Sequence, residues 1–462
     1  MSTRRQFIKQ AALGTGGLLL STSVLANAFS PRRKKVIIIG AGFAGLMAGY
    51  ELYKKKIDFE ILEARNRIGG RVHSHNIGRQ NFVVELGAEW VGADHPVLIG
   101  LCDHFGLKLE DNTFSTQAIY NGTHYRDVKQ LTDHNWEQKL TGILDRYKHM
   151  EPHAQEALDR KLDKTDWWRY LLENGCPERD LELRDLIDST DFGESIRGVS
   201  ALAAVDEYSS DKLSTHNQMD LKIKGGNSSL ALALSKLFAD KIRMGTKVER
   251  VVQTTKPAGK VKVYCSDGYV AEGDKLICTA PAFAVSKIKW EPELPAGMQM
   301  ALQGLEYARI NKNAILYRER FWERDDFDMI TDMPGHYFYH ATKNQTSLTD
   351  AGVLISYTIG DKAAVIASQQ DDERVDLADQ SLKTAFPYTK SLAGDQLDYY
   401  WGNDKYSRGA YAVYGKGQWF DLFPKLNAPH IHTHFAGEHL SEPWGGFMEG
   451  ALETGRDAAG KI

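Results

Sequence analysis

The order of apolar and polar positions divides the chain into strands, turns and helices. Residues 35–39 read Lys-Val-Ile-Ile-Ile, an unbroken β-branched run of the kind that is buried on both faces of a parallel sheet. Gly40-Ala41-Gly42-Phe43-Ala44-Gly45 follows, then a helical segment to about Tyr53. The stretch from Val36 to Tyr50 holds no charge and four glycines. It is shorter than a membrane span, so it reads as strand, turn and helix. A second apolar run, 59–62, ends at Glu63. The pattern predicts another helix from 224–230 to about Phe238, a strand at 247–252, and strands at 261–265 and 275–278 separated by an Asp267-Gly268 turn. Strand-like runs recur at 314–317 and 353–357, whereas 89–220 is helical in pattern, charged, and holds Trp136, Trp167 and Trp168. There is no internal repeat or low-complexity tract.

Composition narrows the class. A chain of 462 residues exceeds one ordinary domain. Its 42% hydrophobic and 26% charged residues exclude a disordered or fibrous chain. Forty-one glycines against 13 prolines point to tight backbone sites rather than linkers. Cys102, Cys176, Cys265 and Cys278 are too few and too scattered for a disulfide framework or a zinc site. Cys278, at the end of an apolar strand, reads as a buried, inert thiol. Lys and Arg total 57 and Asp and Glu 61, a net charge of −4, with no basic run beyond Arg32-Arg33-Lys34-Lys35. That excludes a nucleic-acid binder.

The first residues read as an address. Thr3-Arg4-Arg5-Gln6-Phe7-Ile8-Lys9 precedes a mildly apolar stretch from Ala11 to about Leu25 and then Ala26-Asn27-Ala28. This is a basic lead, a short apolar core and a small-x-small cleavage site. The paired arginines before an aromatic residue resemble a twin-arginine signal, which exports folded proteins. The expectation is a signal peptide over 1–28, a periplasmic location and no transmembrane span in the mature chain. Its removal would take Arg4, Arg5 and Lys9 and no acid, giving −4 − 3 = −7.

The glycine turn carries the first chemistry. Gly40 allows the tight turn out of the strand, Gly42 lets the backbone approach a pyrophosphate, and Gly45 lets the helix pack on the strand. Phosphates then meet free N–H groups at the helix start, near Phe43 and Ala44. Glu63 follows Gly40 by 23 residues (63 − 40) at the end of a second strand, where a carboxylate holds a ribose and repels a 2′-phosphate. The turn implies a dinucleotide and leaves NAD and FAD open.

Further segments select between them. Glu63-Ala64-Arg65-Asn66-Arg67-Ile68-Gly69-Gly70-Arg71 is followed by Val84-Glu85-Leu86-Gly87-Ala88-Glu89-Trp90. Near the C-terminus stand Ala436-Gly437-Glu438-His439 and Trp444-Gly445-Gly446-Phe447-Met448-Glu449-Gly450-Ala451. Together they resemble the flavin-dependent amine oxidases, a family of monoamine, polyamine and L-amino acid oxidases. The resemblance implies that Arg71 reaches the pyrophosphate, that the segment of Gly87, Ala88, Glu89 and Trp90 passes under the isoalloxazine, and that Val248 holds the adenine through its backbone. It also implies that Glu438 binds near the ribityl or pyrophosphate, and that the helix after Gly446 points its start, Phe447 and Met448, at the flavin pyrimidine. The loop from Glu438 to Phe447 is one residue longer than is common.

The same resemblance supplies catalytic candidates. Lys312 lies five residues after Tyr307 and nine before Phe321-Trp322, the spacing of the lysine that positions water for flavin reoxidation. Tyr411 and Phe447 match the aromatic pair that flanks the path to the flavin, with Phe447 lacking a hydroxyl. Ala410 replaces the cysteine that attaches flavin in animal monoamine oxidases, so FAD is expected to be non-covalent. Trp90 replaces the arginine that clamps the substrate carboxylate in L-amino acid oxidases, with Arg309 or Arg318 as substitutes. His336, His340 and His439 read as structural. No metal is expected.

The expected fold is α/β, a two-domain α+β arrangement. A Rossmann-like (GR2-type) FAD-binding domain over 33–88, 221–289 and 403–462 interleaves with a mixed-sheet and helical substrate domain over 89–220 and 290–402. The expected reaction oxidises a primary or secondary amine to an imine by hydride transfer to flavin N5, and hydrolysis then gives an aldehyde or ketone. O2 or a periplasmic electron carrier reoxidises the flavin, and a homodimer is compatible with this reading. The alternatives are an L-amino acid oxidase and a flavin-bearing binding protein with little turnover.

Overall fold

In the computed structural model, which describes residues 34–209, 219–257, 259–345 and 349–462, Lys35–Ile39 is the central strand of a five-stranded parallel sheet. The order is Thr433–Phe435, Lys275–Cys278, Lys35–Ile39, Asp58–Leu62, Ile242–Arg243. These strands come from remote parts of the chain, so the sheet is closed by the C-terminal segment. The expected signal peptide lies outside the described residues.

Alternation along the central strand sends its side chains to two cores. Val36 and Ile38 pack with Leu46, Leu52, Leu230 and Leu452 beneath three helices, Phe43–Lys54, Ser228–Lys236 and Met448–Gly460. Ile37 and Ile39 pack with Val251, Val263 and Trp290 against a second, four-stranded sheet. That period-two split explains why the run shows no polar position. The Asp267-Gly268 turn joins Val261–Cys265 to an additional strand, Val270–Gly273, which precedes Lys275–Cys278. That short strand, Val-Ala-Glu-Gly, has only two apolar residues at its start and therefore gives no apolar run to read in the sequence.

A seven-stranded mixed sheet has the order Ala393–Tyr400, Ile310–Tyr317, Gly352–Ile359, Tyr337–His340, Phe327–Thr331, Ser115–Tyr120, Thr123–Tyr125. Ile310–Tyr317 and Gly352–Ile359 are buried along their whole length. One face packs on Ala378 and Leu382 of the helix Asp371–Leu382. The other faces inward. A helical layer from His134–Lys148 to Ala201–Ser209 closes the side, built on Trp136, Trp167 and Leu171. The whole is the expected α/β, two-domain arrangement.

Two glycines set the geometry of the nucleotide turn. Gly40 has φ +101°, a conformation that side chains disfavour. A Cβ on Gly45 would lie 1.9 Å from the Gly40 carbonyl oxygen, so the helix and the turn touch backbone to backbone. Gly45→Ala should therefore cost about 2 kcal/mol or more, measured as a lower denaturant midpoint. Gly100→Ala, where a Cβ meets nothing within 4 Å on the exposed side of the helix Pro96–Phe105, should leave that midpoint unchanged or raise it. Equal effects at both positions would contradict the packing argument.

Candidate active site

A cavity of about 1520 Å³ runs from the carboxyl ends of the parallel strands to the inner face of the seven-stranded sheet. Ligands in open α/β sheets sit at such strand ends. Its walls contain Gly40, Gly42, Phe43, Ala44, Glu63, Ala64, Arg65, Gly70, Arg71, Gly87, Ala88, Glu89, Trp90, Val248, Gly437, Glu438, Gly446, Phe447 and Met448, together with Lys312 and Tyr411. Of the glycines expected in the nucleotide turn only Gly45 is not on the wall; it acts by packing.

The nucleotide end is pre-organised by backbone hydrogen bonds. Glu63 is buried, accepting the Ala41 N–H at Oε2 (2.7 Å) and the Arg65 N–H at Oε1 (2.8 Å). Each oxygen keeps a lone pair for a ribose hydroxyl. The helix Phe43–Lys54 starts on the cavity wall with no side-chain cap and no acid in its first turn, which leaves its first N–H groups for an anion. The turn rests on the second glycine segment: Gly69 N–H donates to Ala41 O (2.9 Å), and a Cβ on Gly70 would meet Gly42 Cα at 3.1 Å. Gly87 likewise crosses the Arg71 carbonyl, where a Cβ would lie 2.1 Å from the oxygen. This cradle fits a dinucleotide.

Two arginines on the wall are already paired. Arg71 Nη1 donates to Glu438 Oε1 (2.6 Å) and to Ala410 O (2.8 Å). Burial works against the Arg71 charge, yet Glu438 raises its pKa above the ordinary value. Glu438 Oε2 also accepts the N–H groups of Gly446 (3.1 Å) and Ala412 (3.3 Å). This network ties the turn that carries Arg71 to the start of the C-terminal helix. Arg65 pairs with Asp404, which also accepts N–H groups from Tyr406 and Ser407 and the Tyr399 hydroxyl. Burial pushes Asp404 up, but Arg65 and these donors hold it at about 2.

At the other end Lys312 is 3% exposed. Its ammonium donates to Gly87 O (2.9 Å), Glu85 O (3.1 Å) and Glu89 Oε2 (3.1 Å), beneath the rings of Trp90, Tyr339 and Tyr357. Three donors meet three acceptors, so in this arrangement no N–H is left to hold the water expected from the sequence. The spacing identified the residue but not its partners, which lie more than 220 residues away. Glu89 is correspondingly committed to Lys312 and the Tyr339 hydroxyl.

Tyr411 and Phe447 both reach the wall. The Tyr411 hydroxyl donates to Asp191 O (3.0 Å) and lies 3.5 Å from that of Tyr357. Phe447 packs against His95 and Trp444. Arg309 and Arg318 are off the wall: Arg309 is held by Glu194 and Asp361, and Arg318 donates to Ser391 O. Of the three histidines only His439 lines the cavity, and burial lowers its pKa to about 4. His336 and His340 lie elsewhere, likewise lowered by burial, to about 3 and about 4. The four cysteines are buried and unbridged. Among the described residues there is no metal-binding cluster, and no helix is long and apolar enough to cross a membrane.

The sequence reading overlooked Tyr337, Tyr357, Asp191 and Asp328. Tyr337 and Tyr339 alternate along a strand, and Asp328 is a lone charge in Phe-Asp-Met-Ile. Both are readable signals. Desolvation raises the buried Asp328 and Glu85 to about 7 each. For Glu85 the sign follows directly. Its ordinary value is 4.5, so between that pH and about 7 the folded chain holds a proton that the unfolded chain has lost, and stability falls as pH rises. Glu85→Gln should flatten the decline of Tm between about pH 5 and 7.5; a slope equal to that of the wild type would contradict the assignment.

Comparison with known proteins agrees with this geometry. L-amino-acid oxidase of Notechis scutatus scutatus is 25% identical over 92% of this chain and 86% of its own length. That of Mus musculus is 27% identical over 96% and 73%. Putrescine oxidase bound to putrescine superimposes with a TM-score of 0.80 at 21% identity, covering 93% of this chain and 98% of the other. Cyclohexylamine oxidase from Brevibacterium oxydans gives 0.80 at 22%, with the same coverage. At these identities the structural matches speak for the fold. The model of the flavin containing amine oxidoreductases matches residues 43–462, and the chain belongs to that family: it is a flavoprotein oxidoreductase of amines or amino acids.

Proposed function

We propose that this chain oxidises an amine that lacks an α-carboxylate, using FAD held without a covalent bond. The charge of the cavity beyond Lys312 carries the reading. Asp191, Asp206, Glu207, Asp220 and Asp328 line the wall. Trp90 stands where the resemblance implies a carboxylate-binding arginine, and Arg309 and Arg318 are engaged elsewhere. An ammonium is favoured among these acids and a carboxylate is repelled. The L-amino-acid oxidases among the relatives define the alternative outcome.

In this reading Glu63 takes the ribose hydroxyls, the start of the helix Phe43–Lys54 faces the pyrophosphate, and Val248 lies at the adenine end. The Arg71–Glu438 pair and the start of Met448–Gly460 serve the ring end. Bound FAD supplies the two-electron acceptor for C–N oxidation. Lys312 fixes the backbone of Gly87 and the carboxylate of Glu89, so that the segment beneath the ring cannot shift. Trp90, Tyr357 and Tyr411 form a desolvating wall, which favours the neutral, oxidisable form of the amine. Ala410 offers no thiol for a flavin bond. We assign 33–88, 221–289 and 403–462 to the cofactor domain, and 89–220 and 290–402 to the substrate domain. The pattern of residues 1–28 supports export by the twin-arginine route, and O2 or a periplasmic electron carrier would then take the electrons.

Anaerobic mixing with a panel of amines and L-amino acids should bleach the flavin with amines only. Bleaching by L-amino acids alone would replace this reading with the alternative. Because Lys312→Met would release the Gly87 and Glu89 segment that the ammonium holds, it should slow reoxidation by O2 at least about tenfold, a barrier change of roughly 1.4 kcal/mol; an unchanged rate would remove Lys312 from that step. Acid precipitation should release all FAD to the supernatant, and retention in the pellet would contradict non-covalent binding.

A further inference from the structure

The nucleotide end of the cavity carries cations that the proposed reaction does not use. Lys247, Lys287 and Lys405 line the wall there, and all three are exposed. Backbone hydrogen bonds fix the first of them. The Thr246 N–H donates to Glu63 O (2.8 Å) and the Gly245 N–H to Arg65 O (2.9 Å), which sets Lys247 beside the proposed ribose site. The Arg65 guanidinium lies 5.1 Å from the Tyr406 ring, and the Lys405 ammonium lies 5.3 Å from the same ring. The third segment leaves the parallel sheet where the Thr279 N–H donates to Ile39 O (2.9 Å), and runs into the short helix Ala282–Val285. Its Phe283 ring carries two cations, Arg408 at 5.0 Å and Lys287 at 5.7 Å. Phe283, Lys287 and the exposed Arg408 also share a smaller cavity of about 290 Å³ beside the large one.

These four cations differ from the arginines deeper in. Arg65 and Arg71 are compensated by Asp404 and Glu438. Lys247 approaches Glu249 only at 3.7 Å, and Lys287, Lys405 and Arg408 form no ion pair among the described residues. Unpaired charges of one sign around a cleft project a field into solvent and raise the rate at which an opposite charge arrives. The anion that suits this end is a dinucleotide pyrophosphate. Exposed rim charges act on its approach, whereas the buried groups that touch it act on its departure.

We propose that Lys247, Lys287, Lys405 and Arg408 form the port through which FAD enters, a basic collar that steers the dinucleotide into the folded chain. This rests on the reading of the cavity as an FAD site. The uncharged isoalloxazine goes in first, toward Lys312, and the pyrophosphate is drawn in behind it. The acids beyond Lys312 repel the same anion, so the field along the cavity favours loading from the collar.

The test follows rebinding of FAD to the full-length chain stripped of flavin, by stopped-flow flavin fluorescence, with circular dichroism and Tm reporting that each protein is folded. For the wild type, association should slow at least about tenfold between about 0.02 and 0.5 M salt, where the screening length shrinks to a few ångströms. At low salt Lys287→Glu/Lys405→Glu should slow association at least about tenfold and leave dissociation within about twofold. The pair Lys236→Glu/Lys383→Glu makes the same change in net charge at exposed side chains off the wall. It should leave association within about twofold. A wild-type rate indifferent to salt, equal slowing by both pairs, or an effect on dissociation alone would overturn the port. FAD binding with kinetics blind to these charges removes only the port; a wild-type chain that binds no FAD removes the FAD reading itself.

Discussion

The buried ammonium of Lys312 is the contact on which the two halves of the molecule meet. It rises from the seven-stranded sheet and takes the Glu85 and Gly87 carbonyls and the Glu89 carboxylate from the segment that follows the nucleotide-binding strands. A cation buried this deeply is tolerable only when all its donors are satisfied. The acceptors are supplied by backbone whose own path depends on Gly87 crossing Arg71. Moving any one of these displaces the floor of the cavity. Arg71 then passes the constraint on through Glu438 to the start of the C-terminal helix. One charge network thus connects the seven-stranded sheet, the glycine segment and the last helix.

The parts of this architecture that depend on near neighbours in the chain were legible from the sequence. The run 35–39, the glycine turn and Glu63 are local, and each has its expected place. Gly40 needs its positive φ, and Gly45 its contact with the turn. Lys312 was found by spacing. Its saturation by three acceptors was not, because those acceptors come from a segment that folding alone brings close. Arg71 is expected at the pyrophosphate, and its pairing with Glu438 spans 367 positions. Arg309 and Arg318 looked available in the sequence, and only the structure shows them occupied elsewhere.

The substrate end was the least legible. Asp191 closes a helix, and Asp328 interrupts an apolar strand. In sequence Asp191 resembles an ordinary surface acid, and only the interrupted apolar run marks Asp328. Their significance comes from the wall they share with Tyr337 and Tyr357, whose register places polar groups of three neighbouring strands on one face. A wall of acids, a tryptophan where the resemblance implies a clamping arginine, and arginines already spent are what support the proposed preference for a cation.

The most direct measurement of that claim compares two substrates that differ only in a carboxylate. The ratio of kcat/KM for 1,5-diaminopentane over L-lysine isolates the cost of bringing a carboxylate into this wall. The account predicts a ratio of at least about 100 in favour of the diamine, since sites with unmatched polar groups discriminate strongly. A ratio below one would contradict it.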